Sequence, residues 1–211
     1  MNNGEFISLL GNNGVGKTTF LRLILNLIKA KNGEILVENI NIAHSETWKK
    51  YIHAYLDDDF LIDFLTPEEY FEFISSIRNV KTESMYKDLE SFQSFLPGSV
   101  LRSKKQLGTL SSGNRQKIGI LSTFIGAPKY IILDEPFAHL DPGSQNELIK
   151  LLQKIELNPE TTCLLSSHNL FHLQQFQGRM LLMDNGQIIK NYENTENSRK
   201  EIEHFFKKDV S

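Results

Sequence analysis

A chain of 211 residues with 23 lysines and arginines against 26 acids has a formal charge of −3, which argues against a broad nucleic-acid-binding surface. Its length fits one domain with room for an inserted subdomain. A single cysteine, Cys163, excludes an intrachain disulfide; with no signal-peptide pattern near Met1 and no uncharged apolar run of roughly 18 residues, a soluble, cytoplasmic protein is expected.

Phe6-Ile7-Ser8-Leu9-Leu10 is a short apolar run that predicts a strand. Gly11-Asn12-Asn13-Gly14-Val15-Gly16-Lys17-Thr18 follows and opens an apolar segment from Thr19 to Ile28, where Leu21, Ile24, Leu25 and Ile28 share a helical face. Strand, glycine-rich turn and helix in that order form the context of a phosphate-binding P-loop. Gly14 and Gly16 let the backbone approach phosphates with its N–H groups inward, and the helix adds its positive end. Lys17 can reach the β- and γ-phosphates, and the Thr18 hydroxyl can ligate magnesium. Gly11 through Thr19 are therefore the expected nucleotide contacts.

A second strand is predicted from Tyr51 to Leu56. Thr66-Pro67-Glu68-Glu69 then starts a helix with an N-cap, a first-turn proline and a capping box, and Tyr70, Phe73, Ile74 and Ile77 share its face. Met85, Leu89, Phe92 and Leu96 make another helical pattern, ending at Pro97-Gly98. Residues 58–115 thus read as a helical insertion. Leu110-Ser111-Ser112-Gly113-Asn114-Arg115-Gln116-Lys117 leads into a helix carrying Ile118, Leu121 and Ile125. Small and hydroxyl residues at a helix start suit a second anion site, although Ser111 alone is more often just a helix cap.

Tyr130 to Leu133 is a buried strand that ends in Asp134-Glu135-Pro136. Asp134 is suited to hold magnesium and Glu135 to orient and deprotonate an attacking water. Adjacent carboxylates repel, so the pair calls for a cation. A helix with Leu148, Leu151, Leu152 and Ile155 precedes a strand from Thr162 to Ser166, followed by Ser167-His168. Met180 to Met183 and Gln187 to Lys190 flank Asp184-Asn185-Gly186, a tight-hairpin signal. The polar tail from Glu193 predicts a short surface helix carrying Ile202, Phe205 and Phe206. Alternating strands and helices argue for a mostly parallel sheet covered on both faces.

The order and spacing of these motifs resemble the ATP-binding cassette (ABC) family, and from Gly4 to Lys190 the chain is similar to the nucleotide-binding subunit of a transporter. Leu110 to Lys117 resembles the LSGGQ signature, with Ser112 for a glycine and Asn114 for the glutamine. Ala138-His139-Leu140-Asp141 resembles the loop that communicates between paired subunits, and His168 matches the switch histidine that contacts the γ-phosphate. The resemblance implies an α/β P-loop NTPase fold: one cassette over 1–190 with the helical subdomain at 58–115, then a tail or short helix over 191–211. It implies ATP and Mg2+, catalytic roles for Glu135 and His168, nucleotide contacts from Ser111, Ser112, Gly113 and Asp141, and metal contacts from Thr18 and Asp134. In Tyr55-Leu56-Asp57-Asp58-Asp59-Phe60, Asp58 takes the place of the family's loop glutamine, as a third metal contact or as part of a solvated acidic loop.

In this family two cassettes close face to face around two ATP molecules. The implied partners are ATP, a second cassette (this chain or a paired subunit) and a separately encoded membrane permease, with no nucleic acid. The chain would sit on the inner face of the membrane through the permease, with some of Phe60, Leu61, Ile62, Phe64 and Leu65 lining a groove for a short permease helix. ATP hydrolysis would drive transport, with export favoured by likeness of the signature variant. The alternatives are a soluble non-transport cassette ATPase and a regulatory subunit that no longer hydrolyses. Family members begin further upstream, with an antiparallel strand pair and an aromatic residue that stacks on adenine. The N-terminal β region is thus expected to be truncated and adenine stacking weakened, by about 1–3 kcal/mol.

Overall fold

The computed structural model describes residues 1–208. Its centre is strand β1, Phe6–Leu10, all five residues of which are buried. Period-two geometry sends Phe6 and Leu10 into one apolar core and Ile7 and Leu9 into another on the opposite face. Truncating a fully buried side chain here, Leu9→Ala for example, costs about 2–5 kcal/mol.

After β1 come α1 (Lys17–Ile24), a small antiparallel pair β2 (Leu36–Val37) and β3 (Ile40–Asn41), and β4 (Ile52–Tyr55). Helices α2 (Pro67–Ile77), α3 (Thr82–Glu90), α4 (Gly98–Leu101) and α5 (Ser112–Ser122) precede β5 (Tyr130–Leu133). Then follow α6 (Pro142–Glu156), β6 (Thr162–Ser167), α7 (Leu170–Leu173), β7 (Arg179–Asp184), β8 (Gln187–Glu193) and α8 (Glu196–Lys208). The six-stranded sheet runs β4-β5-β6-β1-β7-β8. Every pairing in it is parallel except the β7–β8 hairpin. The C-terminal ends of β1, β5 and β6 therefore lie side by side, which is where open α/β sheets bind ligands.

Three details differ from the sequence expectation. Helix α1 stops at Ile24, so Ile28 is not on its face: Asn26 turns left-handed (φ 52°), with Asn26 N–H donating to Leu23 O and Leu27 N–H to Arg22 O. This is a Schellman closure, with asparagine supplying the residue that usually is glycine. The buried stripe of α2 runs through Tyr70, Phe71 and Ser75, not through Phe73 and Ile77, which are exposed. Helix α5 ends at Ser122, and Ile125 is buried in the turn beyond it. The β2–β3 pair carried no strand signal. In α8, Ile202 is buried and Phe205 and Phe206 pack against the larger core.

Candidate functional site

Strand β1 delivers Gly11 to the sheet edge, where a Cβ would lie 2.6 Å from Met183 O and from the Val15 side chain. Gly14 and Gly16 adopt φ of 83° and 108°, the left-handed region glycine enters freely. Helix α1 begins at Lys17 with no side-chain cap and no acid in its first turn among the described residues, so its dipole end is not neutralised. The loop is braced by Gly186 of the β7–β8 turn, whose N–H donates to Val15 O at 2.8 Å. Lys17 is only 6% exposed; its ammonium donates to Gly11 O at 2.7 Å and Asn12 O at 3.1 Å. Asn13, Gly14, Gly16, Lys17, Thr18, Thr19 and Glu135 line a cleft of about 190 Å³.

The end of β5 closes on the same cleft. Thr18 Oγ1 donates to Asp134 Oδ2 at 2.5 Å, and Ser166 Oγ donates to Asp134 Oδ1. Asp134 is 4% exposed; burial pushes its pKa up, and the hydroxyls of Ser166 and Thr18 pull it partly back. Glu135 stands at φ 45°, strained for a side chain, with its N–H donating to Ser166 Oγ at 2.9 Å. Glu135 Oε2 lies 2.9 Å from His168 Nδ1. Glu135 Oε1 is buried without a hydrogen-bond partner among the described residues, 3.2 Å from the Lys17 ammonium. A buried carboxylate compensated by two neutral hydroxyls, beside a second acid, fits a divalent cation. Thr18 and Asp134 would hold that cation.

Asp58 sits elsewhere. Its Oδ1 accepts from Tyr55 OH at 2.6 Å and its Oδ2 lies 3.7 Å from Arg115 Nε, so its carboxylate serves a side-chain network and not the Thr18–Asp134 pair. The residue expected as a third metal contact thus meets Tyr55 and Arg115 in this structure.

Ser111 caps α5, accepting from Asn114 N–H at 3.4 Å, and both Ser111 and Ser112 are exposed. A Cβ on Gly113 would stand 3.0 Å from His139 O, so only glycine lets α5 approach that loop without displacing it. Asp141 is exposed and caps α6 through Ser144 N–H (3.0 Å) and Ser144 Oγ (2.5 Å), bonds that lower its pKa. The structure thus gathers Lys17, Thr18, Asp134, Glu135 and His168. Ser111, Ser112 and Asp141 stand on the surface, outside the residues that line the cleft.

Three supporting residues escaped the sequence reading. Ser166 bonds both acids; the hydroxyl run before His168 was the available signal. Gln116 ties α5 to the turn after β5, donating to Pro136 O at 2.9 Å. Gln145 donates to Phe137 O and Leu140 O while its Oε1 lies 3.3 Å from His172 Nε2. Nothing in the sequence marked it.

Comparison with known proteins gives a consistent picture. The family model for ABC transporters matches residues 1–138. A tyrosine transport ATP-binding protein of Clostridioides difficile (strain R20291) is 30% identical, covering 97% of this chain and 86% of that protein. ABC transporter A family member 11 of Dictyostelium discoideum is 29% identical over 87% of this chain, which spans only 22% of its length. Among solved structures, an ATP-binding subunit of an ABC transporter superposes with a TM-score of 0.84 at 24% identity, covering 96% of this chain and 83% of that one. A dimeric ATP-binding cassette in a post-hydrolysis state, bound to ADP and phosphate, has a TM-score of 0.80 at 24% identity, covering 92% and 88%. At that identity the two structures speak for the fold alone.

Proposed function

From the premise that this chain belongs to the ABC transporter family, we propose that it works as a dimer, hydrolysing ATP to drive transport through a separate membrane permease. The chain is an ABC ATPase, the ATP-binding subunit of a transporter. The observation that carries the mechanism is that Lys17, Thr18 and Glu135 line one cleft at the sheet edge, with Asp134 bonded to Thr18 and His168 in contact with Glu135. The P-loop amides and Lys17 bind the phosphates. Thr18 and Asp134 hold magnesium, which when bound neutralises phosphate charge. Glu135 takes the proton of the attacking water, and His168 fixes the Glu135 carboxylate through its 2.9 Å contact.

Dimer action is supported by the outward placement of Ser111, Ser112 and Asp141: a second protomer would present them, with Gly113, to this chain's nucleotide. Among the described residues no helix is long and apolar enough to cross a membrane; we assign the permease to another chain, with membrane attachment through it. A groove of about 260 Å³, lined by Leu25, Tyr55, Leu56, Phe60, Leu61 and Tyr70 among others, is its docking surface. Of the five apolar candidates, Phe60 and Leu61 line the groove; Ile62 and Leu65 pack on the core and Phe64 is exposed. The inserted subdomain, residues 58–115, contributes Phe60, Leu61 and Tyr70 to this surface. Export is the direction we assign, on likeness of the signature variant.

Glu135→Gln tests the mechanism. Phosphate release should fall roughly 10²- to 10⁴-fold while a fluorescent ATP analogue still binds. Unchanged turnover would overturn the assignment of the base.

A further inference from the structure

We propose that Arg115 is a positioning residue. With Asp58 and Asp63 it forms a charged strut that fixes the signature end of α5 against the loop bordering the groove. Arg115 Nη1 donates to Asp63 Oδ1 at 2.6 Å, its Nη2 donates to Asp58 O at 3.2 Å, and its Nε faces Asp58 Oδ2 at 3.7 Å. The guanidinium fork therefore reads a carboxylate and a backbone carbonyl of one loop simultaneously, a geometry lysine cannot reproduce. Tyr55 completes the attachment. Its hydroxyl donates to Asp58 Oδ1, and its ring packs so tightly on Gly119 of α5 that a Cβ there would come within 2.4 Å of it. The same loop reaches the other anion-binding helix: Asp57 Oδ2 accepts from Arg22 of α1 at 3.5 Å.

The consequence is mechanical. Arg115 lies one turn into α5, and its N–H donates to Ser111 O, so a displacement of Asp58 or Asp63 is delivered to Ser111–Gly113 over one helical turn. Tyr55, Asp57, Phe60 and Leu61, which flank or belong to the acidic loop, also line the groove. An occupant of that groove thus presses on the strut. In this chain the acidic loop serves helix placement, which accounts for an aspartate where the family resemblance places a glutamine.

The turnover part of this inference rests on the proposed ATPase dimer, so its test includes a readout independent of hydrolysis. The full chain is compared with Asp63→Asn (exposed, and safe for folding), Arg115→Gln, Arg115→Lys and the swap Arg115→Asp/Asp63→Arg. Amide exchange of the peptide spanning 110–117 should quicken by about tenfold in Asp63→Asn and Arg115→Gln, with the β1 peptide unchanged. Maximal phosphate release should fall about tenfold, with affinity for a fluorescent ATP analogue held within about twofold, a kcat loss without a binding loss. Arg115→Lys, which keeps the charge but not the fork, should recover part of both, and the swap, which sets a second carboxylate against Asp58, should recover neither. Unaltered exchange at 110–117 overturns the strut whatever the turnover. A matching loss of nucleotide affinity also overturns it, since that marks general damage. If the parent chain shows no hydrolysis, the proposed function fails while the exchange result still decides the strut.

Discussion

The N-termini of α1 and α5, the two phosphate-facing ends of the proposed mechanism, are built in opposite ways. Helix α1 opens from left-handed Gly16 without a side-chain cap, and its Lys17 is buried among Gly11 O, Asn12 O and Glu135. Helix α5 opens from Ser111, which satisfies one of its own amides, and faces solvent. The first end is a finished half-site, with donors and acids converging on a cleft. The second is a surface feature whose ligand must arrive from outside. On the proposed function one chain carries two unlike halves, and a complete site takes two chains.

The largest effects should come from breaking either half alone. Lys17→Ala should cut turnover roughly 10²- to 10³-fold by removing the charge that meets developing negative charge. Ser111→Arg should be comparably inactive, yet bind a fluorescent ATP analogue within about twofold of the parent. Mixed together, the two inactive proteins should recover about a quarter of parental turnover. Half of the dimers are then mixed, and each has one intact composite site of two. A mixture as inactive as its components would show that the halves are not shared between chains.

The far end of α5 offers a contrast within one helix. There His53 Nδ1 bonds Thr123 O at 3.0 Å, and Arg78 donates to Ser122 O and to Ile125 O. His53 is buried, and desolvation, aided by the Arg78 charge, lowers its pKa to about 4. The unfolded chain takes up a proton near pH 6.5 and the folded one does not. The stabilisation is thus fully present above 6.5 and is lost as pH falls toward 4. Between pH 7.5 and 5 this amounts to about 2 kcal/mol. His53→Gln keeps a donor for Thr123 O but cannot titrate, so its urea midpoint should be flatter over that interval. Equal slopes would remove His53 from the acid sensitivity of the fold.

How much of this was legible in the sequence follows from the range of each interaction. The apolar runs of β1, β5 and β6 and the order of Lys17, Asp134 and His168 are local signals, and the sheet edge brings them together. The end of α1 turned on Asn26 entering left-handed space, which periodicity does not register. The buried face of α2 was misassigned because Phe73 and Ile77 keep helical spacing while facing outward. Arg115 and Asp63 are 52 positions apart, and nothing in the sequence ties Asp58, read as a metal contact or as part of a solvated acidic loop, to Arg115 and Tyr55. Pairings of that kind belong to tertiary structure, as does the bond from Ser166 to Asp134.

The smallest effect separates the two helix ends by their standing cost. At α1, Asp134 is buried beside Glu135, and desolvation raises its pKa. A carboxyl with a raised folded-state pKa favours the fold below its unfolded value near 4, and that contribution is lost as pH rises through the folded one. Near neutrality the group therefore weighs against the fold until a cation answers it. Asp134→Asn removes the charge, and its amide can still bond the hydroxyls of Thr18 and Ser166. In chelator at pH 7.5 the variant should be more stable than the parent by roughly 0.5–2 kcal/mol, while magnesium-dependent turnover is lost. The gain should shrink as pH falls from 7.5 to 5, toward the raised folded-state pKa. Ser111→Ala, at the other helix end, should lose about 1 kcal/mol, because a cap there is a net contributor. Thermal melts of both variants at the two pH values check the contrast. A destabilised Asp134→Asn in chelator would mean that the α1 end carries no such cost.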